Sequence, residues 1–308
     1  MPHSAEPAHT SLGNQLDAWF PNHDANNDVL IKKVLSLLDV KEATSKVYKS
    51  GLRDFLEWNN GRSLNASTTT RYKQHLVDRV DMKVGTKNLY LTASRILVTQ
   101  MHRVGILDRD YGRGVRGFVI AREHQKGTIT DKQVAKVFSY IDKKKDKRLT
   151  LIFTLLYFQG LRQREMVTAR IENFDNAKRT LMIEGKTRDD KERIDLHPRT
   201  VEVIQRFLEL SRLTSGYFLY SKRTVSGYMS LIQLGRIIRA VHDECGIANS
   251  GHAWRKVFTS KLIASGLDLV TVSSLTRHKS IAMLQVYYDS MERKKKLPLY
   301  YDVFEKKE

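Results

Sequence analysis

Hydrophobic side chains recur at helical spacing along the first third of the chain. Residues three, four or seven positions apart share one face of a helix, and this spacing predicts a first helix whose apolar face consists of Leu30, Val34, Leu37 and Leu38. It predicts three more helices over 44–58, 71–80 and 87–105. We expect Thr44 to cap the second helix and Asn59-Asn60-Gly61 to end it, since threonine caps helix starts and glycine favours the position after a helix end. Four helices with short connections indicate an all-α module.

A second module begins near Thr130-Asp131, where threonine is a favourable helix cap. A buried helix over 149–158 is followed by short strands over 180–184 and 193–196, which a charged turn separates. Further helices are predicted over 164–170, 201–212, 231–242, 255–264, 269–275 and 280–293. The predicted fold class is therefore mainly α with a small β-hairpin, and the sequence lacks the GxxxxGK[ST] loop of nucleotide-binding domains.

Composition predicts where these modules begin and end. A stretch over 108–127 is rich in glycine and basic residues, which is typical of a linker. From these features we assign a flexible N-terminal tail to 1–27, the four-helix domain to 28–120, the linker to 121–128, the second domain to 129–293 and a C-terminal tail to 294–308.

The charge of the chain indicates its class of partner. Its 53 Lys and Arg residues exceed its 34 Asp and Glu residues, which gives a formal net charge of +19. Such an excess favours a polyanion, with DNA or RNA first and an anionic membrane surface second. The single cysteine, Cys245, excludes an intrachain disulfide and cysteine-rich zinc sites. A reducing, cytoplasmic setting is expected, and no apolar run approaches the roughly 20 residues of a membrane span.

Two segments of the second domain carry cations suited to phosphate chemistry. Arg162 follows Gly160-Leu161 directly after the buried helix, so its guanidinium is held on a rigid element and can grip phosphate oxygens. Lys186 lies in the turn after the first strand, where an ammonium group can reach into a cleft as a proton donor. Taken singly, Arg162 is better explained as a surface arginine paired with Glu165 along the helix, and Lys186 as a solvated turn residue.

Two further segments bring histidine and tyrosine. His252 and Arg255 are three residues apart at a predicted helix start, so they share one face. His278 precedes a helix that bears the adjacent pair Tyr287 and Tyr288. A histidine beside an arginine, or a tyrosine pair on a helix, is by itself also explained by packing.

The order of these residues along the chain resembles the signature of the tyrosine recombinase (phage integrase) family, Arg…Lys…His-x-x-Arg…His…Tyr. The resemblance extends over about 128–293, and the four-helix region is similar to the family's core-binding domain. The Gly-Leu-Arg-x-x-Glu segment of the family selects Arg162 over Arg164 as the first arginine. Its tyrosine nine positions after the second histidine selects Tyr287 over Tyr288, and its hairpin lysine matches Lys186, with Lys191 as the competitor.

The resemblance implies a site-specific recombinase that cleaves double-stranded DNA and rejoins it through a 3′-phosphotyrosine and a Holliday junction. Tyr287 is then the nucleophile, and Arg162, Arg255 and His278 bind the non-bridging phosphate oxygens. His252 assists proton transfer at the tyrosine, and Lys186 protonates the departing 5′-oxygen. The family resemblance further implies a homo-tetramer on two DNA sites in which C-terminal tails contact neighbouring protomers. The alternative is that the tail folds back on its own protomer. The cations replace a metal ion, so we expect neither a metal nor a nucleotide cofactor.

Two departures from the family pattern indicate a divergent member, which we associate with a mobile element. The family's Leu-Gly-His is replaced by Thr276-Arg277-His278, which puts an arginine side chain close to the site, and the second box contains Ala253-Trp254. The alternatives are a non-catalytic DNA-binding regulator with the same fold, and a related tyrosine topoisomerase or telomere resolvase. An RNA-binding module is disfavoured, because no aromatic RNA-stacking motif is present.

Overall fold

The computed structural model describes residues 27–119, 128–185, 191–278, 280–285 and 288–289. These residues divide into two compact units, one on each side of the gap at 120–127. The predicted tails over 1–27 and 294–308 and the predicted linker over 121–128 lie almost entirely outside the described residues.

The N-terminal unit consists of four helices, α1 (Asn27–Ser36), α2 (Glu42–Asn59), α3 (Thr68–Asp78) and α4 (Val84–Arg103). Their apolar faces enclose one core that includes Val34, Leu52, Phe55, Leu76, Leu97 and Met101. Gly51 lies where α2 approaches α4, and a Cβ atom there would come within 2.8 Å of the Ala93 Cβ. The close contact of these two helices therefore requires glycine at this position.

Some helix ends in this unit differ from the prediction. The first helix ends at Ser36, so Leu37 is exposed rather than part of the core face. The second helix begins at Glu42, two residues before Thr44, so the prediction that Thr44 caps it was wrong. It ends at Asn59 as predicted. Asn60 caps it in the left-handed conformation, which asparagine tolerates, and its N–H donates to the Leu56 carbonyl; Gly61 follows with a φ of +71°.

The glycine-rich stretch after α4 packs against this unit as far as Phe118. Leu107 is buried in the core. The amide of Asn88 donates to the Phe118 carbonyl at 2.9 Å and accepts from the Phe118 N–H at 2.7 Å. A Cβ at Gly117 would lie 2.8 Å from Asn88 Oδ1. At Gly117, therefore, the glycine allows close packing and does not mark a free linker.

The C-terminal unit begins with α5, whose start confirms the predicted cap. Thr130 accepts from the Gln133 N–H, and the Gln133 side chain accepts from the Thr130 N–H. The helices of this unit are α5 (Asp131–Lys144), α6 (Lys147–Gln159), α7 (Gln163–Thr168), α8 (Pro198–Ser211), α9 (Leu231–Cys245), α10 (His252–Ala264) and α11 (Leu269–Thr276).

A small antiparallel sheet lies between α7 and α8 in sequence. Its strands are β1 (Phe174–Asp175), β2 (Thr180–Glu184) and β3 (Lys191–Asp195), paired in the order β1-β2-β3. The predicted hairpin is confirmed, although its second strand begins two residues earlier and the two-residue β1 was not predicted. Together with the helices, the sheet confirms the predicted fold class. None of the helices within the described ranges is both long and apolar enough to cross a membrane.

Candidate active site

Arg162 stands at a sharp turn between two helices of the C-terminal unit. Helix α6 ends at Gln159 and is capped by Gly160, whose φ of +55° is a left-handed conformation, and α7 begins directly after Arg162. A Cβ on Gly160 would lie 2.3 Å from Phe258 Cδ1 on α10. Glycine is therefore required twice here, for the backbone conformation and for the close approach of α10.

Glu165 orients Arg162 through both its main chain and its side chain. The Arg162 N–H donates to Glu165 Oε2 at 2.8 Å, and Arg162 Nη1 donates to Oε1 at 2.6 Å. The Glu165 side chain is buried, whereas 45% of the Arg162 side chain is exposed. The arginine is thus fixed on one side and accessible on the other.

Arg255 lies on α10 and is buried. Its Nη1 donates to the Gly160 carbonyl at 2.8 Å, and its Nη2 donates to the Thr276 carbonyl. The guanidinium therefore joins the turn that carries Arg162 to the end of α11. Burial of a charged group requires such partners, and these two are main-chain acceptors.

The three residues 276–278 bring the other groups together. Arg162 Nη2 donates to the Arg277 carbonyl at 3.1 Å, next to the Thr276 carbonyl that accepts from Arg255. His278 follows immediately, and its Nδ1 lies 2.6 Å from the Thr276 hydroxyl. Arg162, Arg255 and His278, which are far apart in sequence, therefore lie in one site.

The hydrogen bonds of Thr276 determine the tautomer of His278. The Thr276 hydroxyl donates to the Val272 carbonyl at 2.6 Å, so it accepts from Nδ1–H of His278. In the neutral ring, Nε2 is then unprotonated. Burial, followed by Arg255, Arg162 and Arg277, lowers the pKa of His278 to about 4. His278 is thus neutral near pH 7 in the absence of a bound anion.

His252 begins α10 and is exposed. Partial desolvation and, next, the Arg255 guanidinium lower its pKa below 6.5. A neutral imidazole at neutral pH is the form that accepts a proton. The role of His252 in proton transfer at the tyrosine stays a prediction.

Glu165 and Arg277 complete the charged cluster. Arg277 Nη2 donates to Glu165 Oε2 at 3.0 Å, and 4% of the Arg277 side chain and 5% of the Glu165 side chain are exposed. Burial by itself would raise the pKa of Glu165, but Arg277 and Arg162 outweigh it and hold the pKa below its ordinary value. The sequence indicated an extra arginine near the site, but not its pairing with a carboxylate 112 positions away.

A buried histidine, His242, forms a hydrogen bond with a side chain of α10. The Trp254 indole N–H donates to His242 Nε2 at 2.8 Å, and His242 Nδ1 lies 2.7 Å from the Asn249 carbonyl. His242 is therefore neutral with its proton on Nδ1, and burial lowers its pKa. Sequence reasoning missed this pair, because neither residue belongs to the ordered motif.

Two predicted site residues, Lys186 and Tyr287, lie outside the described residues. Their competitors are described. Lys191 is exposed at the start of β3, paired with Glu184 across the hairpin, and Arg164 is exposed on α7. Tyr288 is 37% exposed. Within the described ranges, no three His, Cys, Asp or Glu side chains are grouped so that they could hold a metal ion.

Comparison with known sequences gives consistent matches. The model of the phage integrase family matches residues 128–294. Tyrosine recombinase XerA of Thermococcus kodakarensis is 26% identical over 250 residues, which are 79% of this chain and 83% of XerA. XerA of Pyrococcus horikoshii is 25% identical over 161 residues, which are 52% of this chain. The chain spans about half the length of this second relative, 55%.

Solved structures share the fold. The Tn1549 transposon integrase in complex with transposon right-end DNA superposes with a TM-score of 0.70 at 15% identity, covering 89% of this chain and 99% of the integrase. A lambda integrase tetramer bound to a Holliday junction has a TM-score of 0.67 at 14% identity, covering 92% of this chain and 81% of that one.

Proposed function

The chain belongs to the phage integrase family and is a tyrosine site-specific recombinase, and from this premise we propose that it cleaves and rejoins double-stranded DNA with Tyr287 as the nucleophile. One observation carries the assignment of the other groups. Arg162 and Arg255 donate to the consecutive carbonyls of residues 277 and 276, and His278 is the next residue. This arrangement supports the proposal that the two guanidinium groups and the imidazole bind one phosphate.

The arginines supply the electrostatic part of the reaction. A tyrosine hydroxyl has an ordinary pKa near 10, so its attack at neutral pH requires positive charge nearby. Arg162 and Arg255 stabilise the phenolate and the extra negative charge of the transition state. Each guanidinium has five N–H donors, so binding to a carbonyl is compatible with binding a phosphate oxygen.

The remaining groups move protons and complete the exchange. The Tyr287 oxygen forms a bond to the scissile phosphorus, and the bond to the 5′-oxygen breaks. His252 takes the tyrosine proton, and Lys186 gives a proton to the departing 5′-oxygen, which leaves as a hydroxyl. Another 5′-hydroxyl then attacks the 3′-phosphotyrosine and gives its proton to Lys186, while the bond from phosphorus to the Tyr287 oxygen breaks and the released tyrosine regains its proton from His252. One phosphoester replaces another, so rejoining requires no external energy source, and the exchange proceeds through a Holliday junction.

His278 requires a more specific role than the sequence suggested. In its neutral form Nδ1–H is used by Thr276, so Nε2 cannot donate to a phosphate oxygen. A bound phosphodiester brings negative charge to the site and favours the protonated ring. We infer that His278 takes up a proton as DNA binds and then donates from Nε2 to the phosphate.

The assembly is proposed from the fold. The lambda integrase with the same fold is a tetramer on a Holliday junction, and we propose a homo-tetramer on two DNA sites for this chain, acting in the compartment that holds its DNA. The C-terminal tail over 294–308 carries the apolar residues Leu297, Leu299, Tyr300, Val303 and Phe304. These residues are suited to contact a neighbouring protomer.

A covalent adduct tests the proposal directly. The protein is incubated in EDTA with end-labelled fragments of the DNA element that encodes it, denatured, and examined for a protein–DNA adduct. Wild type and Tyr288→Phe are expected to form the adduct, and Tyr287→Phe is not. Loss only in Tyr288→Phe would keep the class of enzyme and move the nucleophile by one residue. A persistent failure with the protein's own target site would favour a non-catalytic DNA-binding protein.

A further inference from the structure

Arg277 occupies a backbone position that arginine rarely takes. It follows α11 with a φ of +56°, in the left-handed region. The family pattern has a glycine here, which adopts this conformation without steric cost, whereas a side chain does not. A side chain retained at an unfavourable backbone position points to a role for that side chain.

The Arg277 side chain is directed into the protein, towards the carboxylate that orients Arg162. Its Nη2 donates to Glu165 Oε2 at 3.0 Å, and its Nη1 donates to the Leu275 carbonyl at 3.2 Å. Glu165 therefore lies between two guanidinium groups, of which Arg162 is accessible and Arg277 is buried. The Arg277 carbonyl also accepts from Arg162, so residue 277 contacts the accessible arginine both directly and through Glu165.

The charges of these three side chains do not cancel. A carboxylate paired only with Arg162 would neutralise the charge that attracts phosphate. With Arg277 present the three groups sum to +1, and Arg277 is the foremost of the attractions that hold the pKa of Glu165 down. Glu165 thus stays ionised and holds Arg162 in place, while its negative charge is offset from the buried side.

We propose that Arg277 is a positioning residue for DNA cleavage, which shares the charge of Glu165 and so leaves Arg162 both fixed and electropositive towards the scissile phosphate. This inference rests on the proposed function, in which Arg162 binds that phosphate. Arg277 itself is buried behind Glu165, so it does not contact the phosphate and acts on Arg162 through Glu165; its charge also disfavours protonation of the adjacent His278.

The test compares single-turnover cleavage rates of the full chain on one substrate. The substrate is a nicked duplex of the site that yields the adduct described above, at saturating protein and well below each variant's melting temperature. Arg277→Met is expected to slow cleavage roughly 10- to 100-fold, since small errors in placing a phosphate-binding group have effects of that order. Arg277→Lys keeps the charge and is expected to recover most of the rate.

A double substitution separates charge sharing from mere structural support. Glu165→Gln combined with Arg277→Met removes both charges, so Arg162 again faces phosphate without a neutralising carboxylate. The double variant is expected to cleave faster than Arg277→Met alone. Noncovalent affinity for the same duplex, measured in the Tyr287→Phe background, is expected to change less than the rate.

Arg212→Met is the matched control. Arg212 also follows a helix in the left-handed conformation, with a φ of +55°, but it is exposed. Its substitution makes the same change in side chain at the same kind of backbone position, and we expect a rate close to that of wild type.

Three results would overturn the proposal: an unchanged rate in Arg277→Met, an equal loss in Arg212→Met, or a double variant no faster than Arg277→Met. If Arg277→Met does not fold, Arg277→Gly, which has no strained side chain, takes its place with the same expectations. Cleavage by wild type but not by Tyr287→Phe tests the proposed function independently of residue 277.

Discussion

The two units of the protein bury different kinds of polar side chain. In the described part of the N-terminal unit, the buried polar residues are uncharged: Asn59, Thr68, Thr69, Ser94 and Gln100. The C-terminal unit buries the charged side chains Glu165, Arg255 and Arg277 and also the neutral His242. Buried charge is unfavourable unless it is paired, so the two units are built for different purposes.

The difference in buried side chains predicts that substitutions will have different effects in the two units. The N-terminal core consists of apolar contacts between helices, and the Tyr72 hydroxyl at its edge donates to Asp54. Among the described residues of the C-terminal unit, Glu165, Arg255 and Arg277 are buried charged residues that each form hydrogen bonds, although Arg277 Nε has no hydrogen-bond partner. Substitutions inside the first unit should therefore affect stability, whereas those inside the second should affect stability and cleavage together.

The largest expected effect comes from Arg255→Ala. It removes a phosphate-binding guanidinium and leaves the carbonyls of Gly160 and Thr276 without this donor. We expect a loss of about 10³-fold in single-turnover adduct formation, the upper range for losing one donor to a transition state. Arg164→Ala, at an exposed arginine on α7, is the control and should stay within about tenfold of wild type. Equal losses would remove the special status of Arg255.

A smaller effect is expected from Gly160→Ala, which tests the turn below the site. The added Cβ would collide with Phe258, and the alanine would have to keep the positive φ of Gly160. Together these effects should lower the free energy of unfolding by about 3 kcal/mol. Gly105→Ala is the matched control in the N-terminal unit, because Gly105 has a φ of +79° but open space around it. Gly105→Ala should lower the free energy of unfolding by about 1 kcal/mol. Urea unfolding of the two variants compares the losses.

The buried His242 should contribute less, and in a pH-dependent way. His242→Leu removes the acceptor of the buried Trp254 N–H and the hydrogen bond to the Asn249 carbonyl, which should cost about 2 kcal/mol in the free energy of unfolding. Because folding lowers the pKa of His242, the unfolded chain binds the proton more readily. Stability of the wild-type unit is then fully present above about pH 6.5 and is lost as the pH falls towards the folded pKa. Urea unfolding at pH 7 and pH 5 should show a gap between wild type and variant that narrows in acid.

Tyr72→Phe should have the smallest effect, and it tests the contrast between the two units with a substitution in the N-terminal unit. The Tyr72 hydroxyl donates to Asp54 at 2.6 Å within the N-terminal unit, and Arg79 also contacts this carboxylate at 3.4 Å. Loss of one such hydrogen bond should lower the free energy of unfolding by about 1 kcal/mol, with a cleavage rate unchanged on saturated substrate. A rate that fell with Tyr72→Phe would mean that the first unit also supports the chemistry.

The pKa of His278 can be measured directly, with and without DNA. In the free protein its imidazole is expected to titrate near pH 4, because burial and three arginines disfavour the charged ring. Adding a DNA duplex to Tyr287→Phe should raise that pKa. Proton NMR with His278→Asn for assignment would check both, and an ordinary pKa in the free protein would contradict the cluster of arginines around it.

Local patterns predicted the elements well, and they failed where tertiary contacts decide. The Thr130 cap and strand β2 follow from neighbouring residues alone, and both were predicted correctly. The start of α2 was misjudged because Lys41, which has no side-chain capping bond, takes the place expected for Thr44. Strand β1 has two residues, too few for a period to show.

The order of residues along the chain was enough to select the site residues, but it did not predict the contacts between them and their neighbours. Arg162, Arg255 and His278 were predicted as site residues, and the structure places them together. The pairing of Arg277 with Glu165 spans 112 positions, and no local signal reports such a contact. Lys186 and Tyr287, with the roles assigned to them, stay predictions.

The use of main-chain acceptors has a consequence for how this sequence can diverge. Arg162 and Arg255 donate to the carbonyls of residues 277 and 276, and a carbonyl is present whatever side chain the residue bears. Substitution of the side chains at these two positions therefore leaves both main-chain acceptors in place, provided that the left-handed turn at residue 277 persists, although the contact of the Arg277 side chain with Glu165 is then lost. This chain has Thr-Arg ahead of His278 where the family pattern has Leu-Gly, and its main-chain carbonyls at these two positions still accept from both arginines.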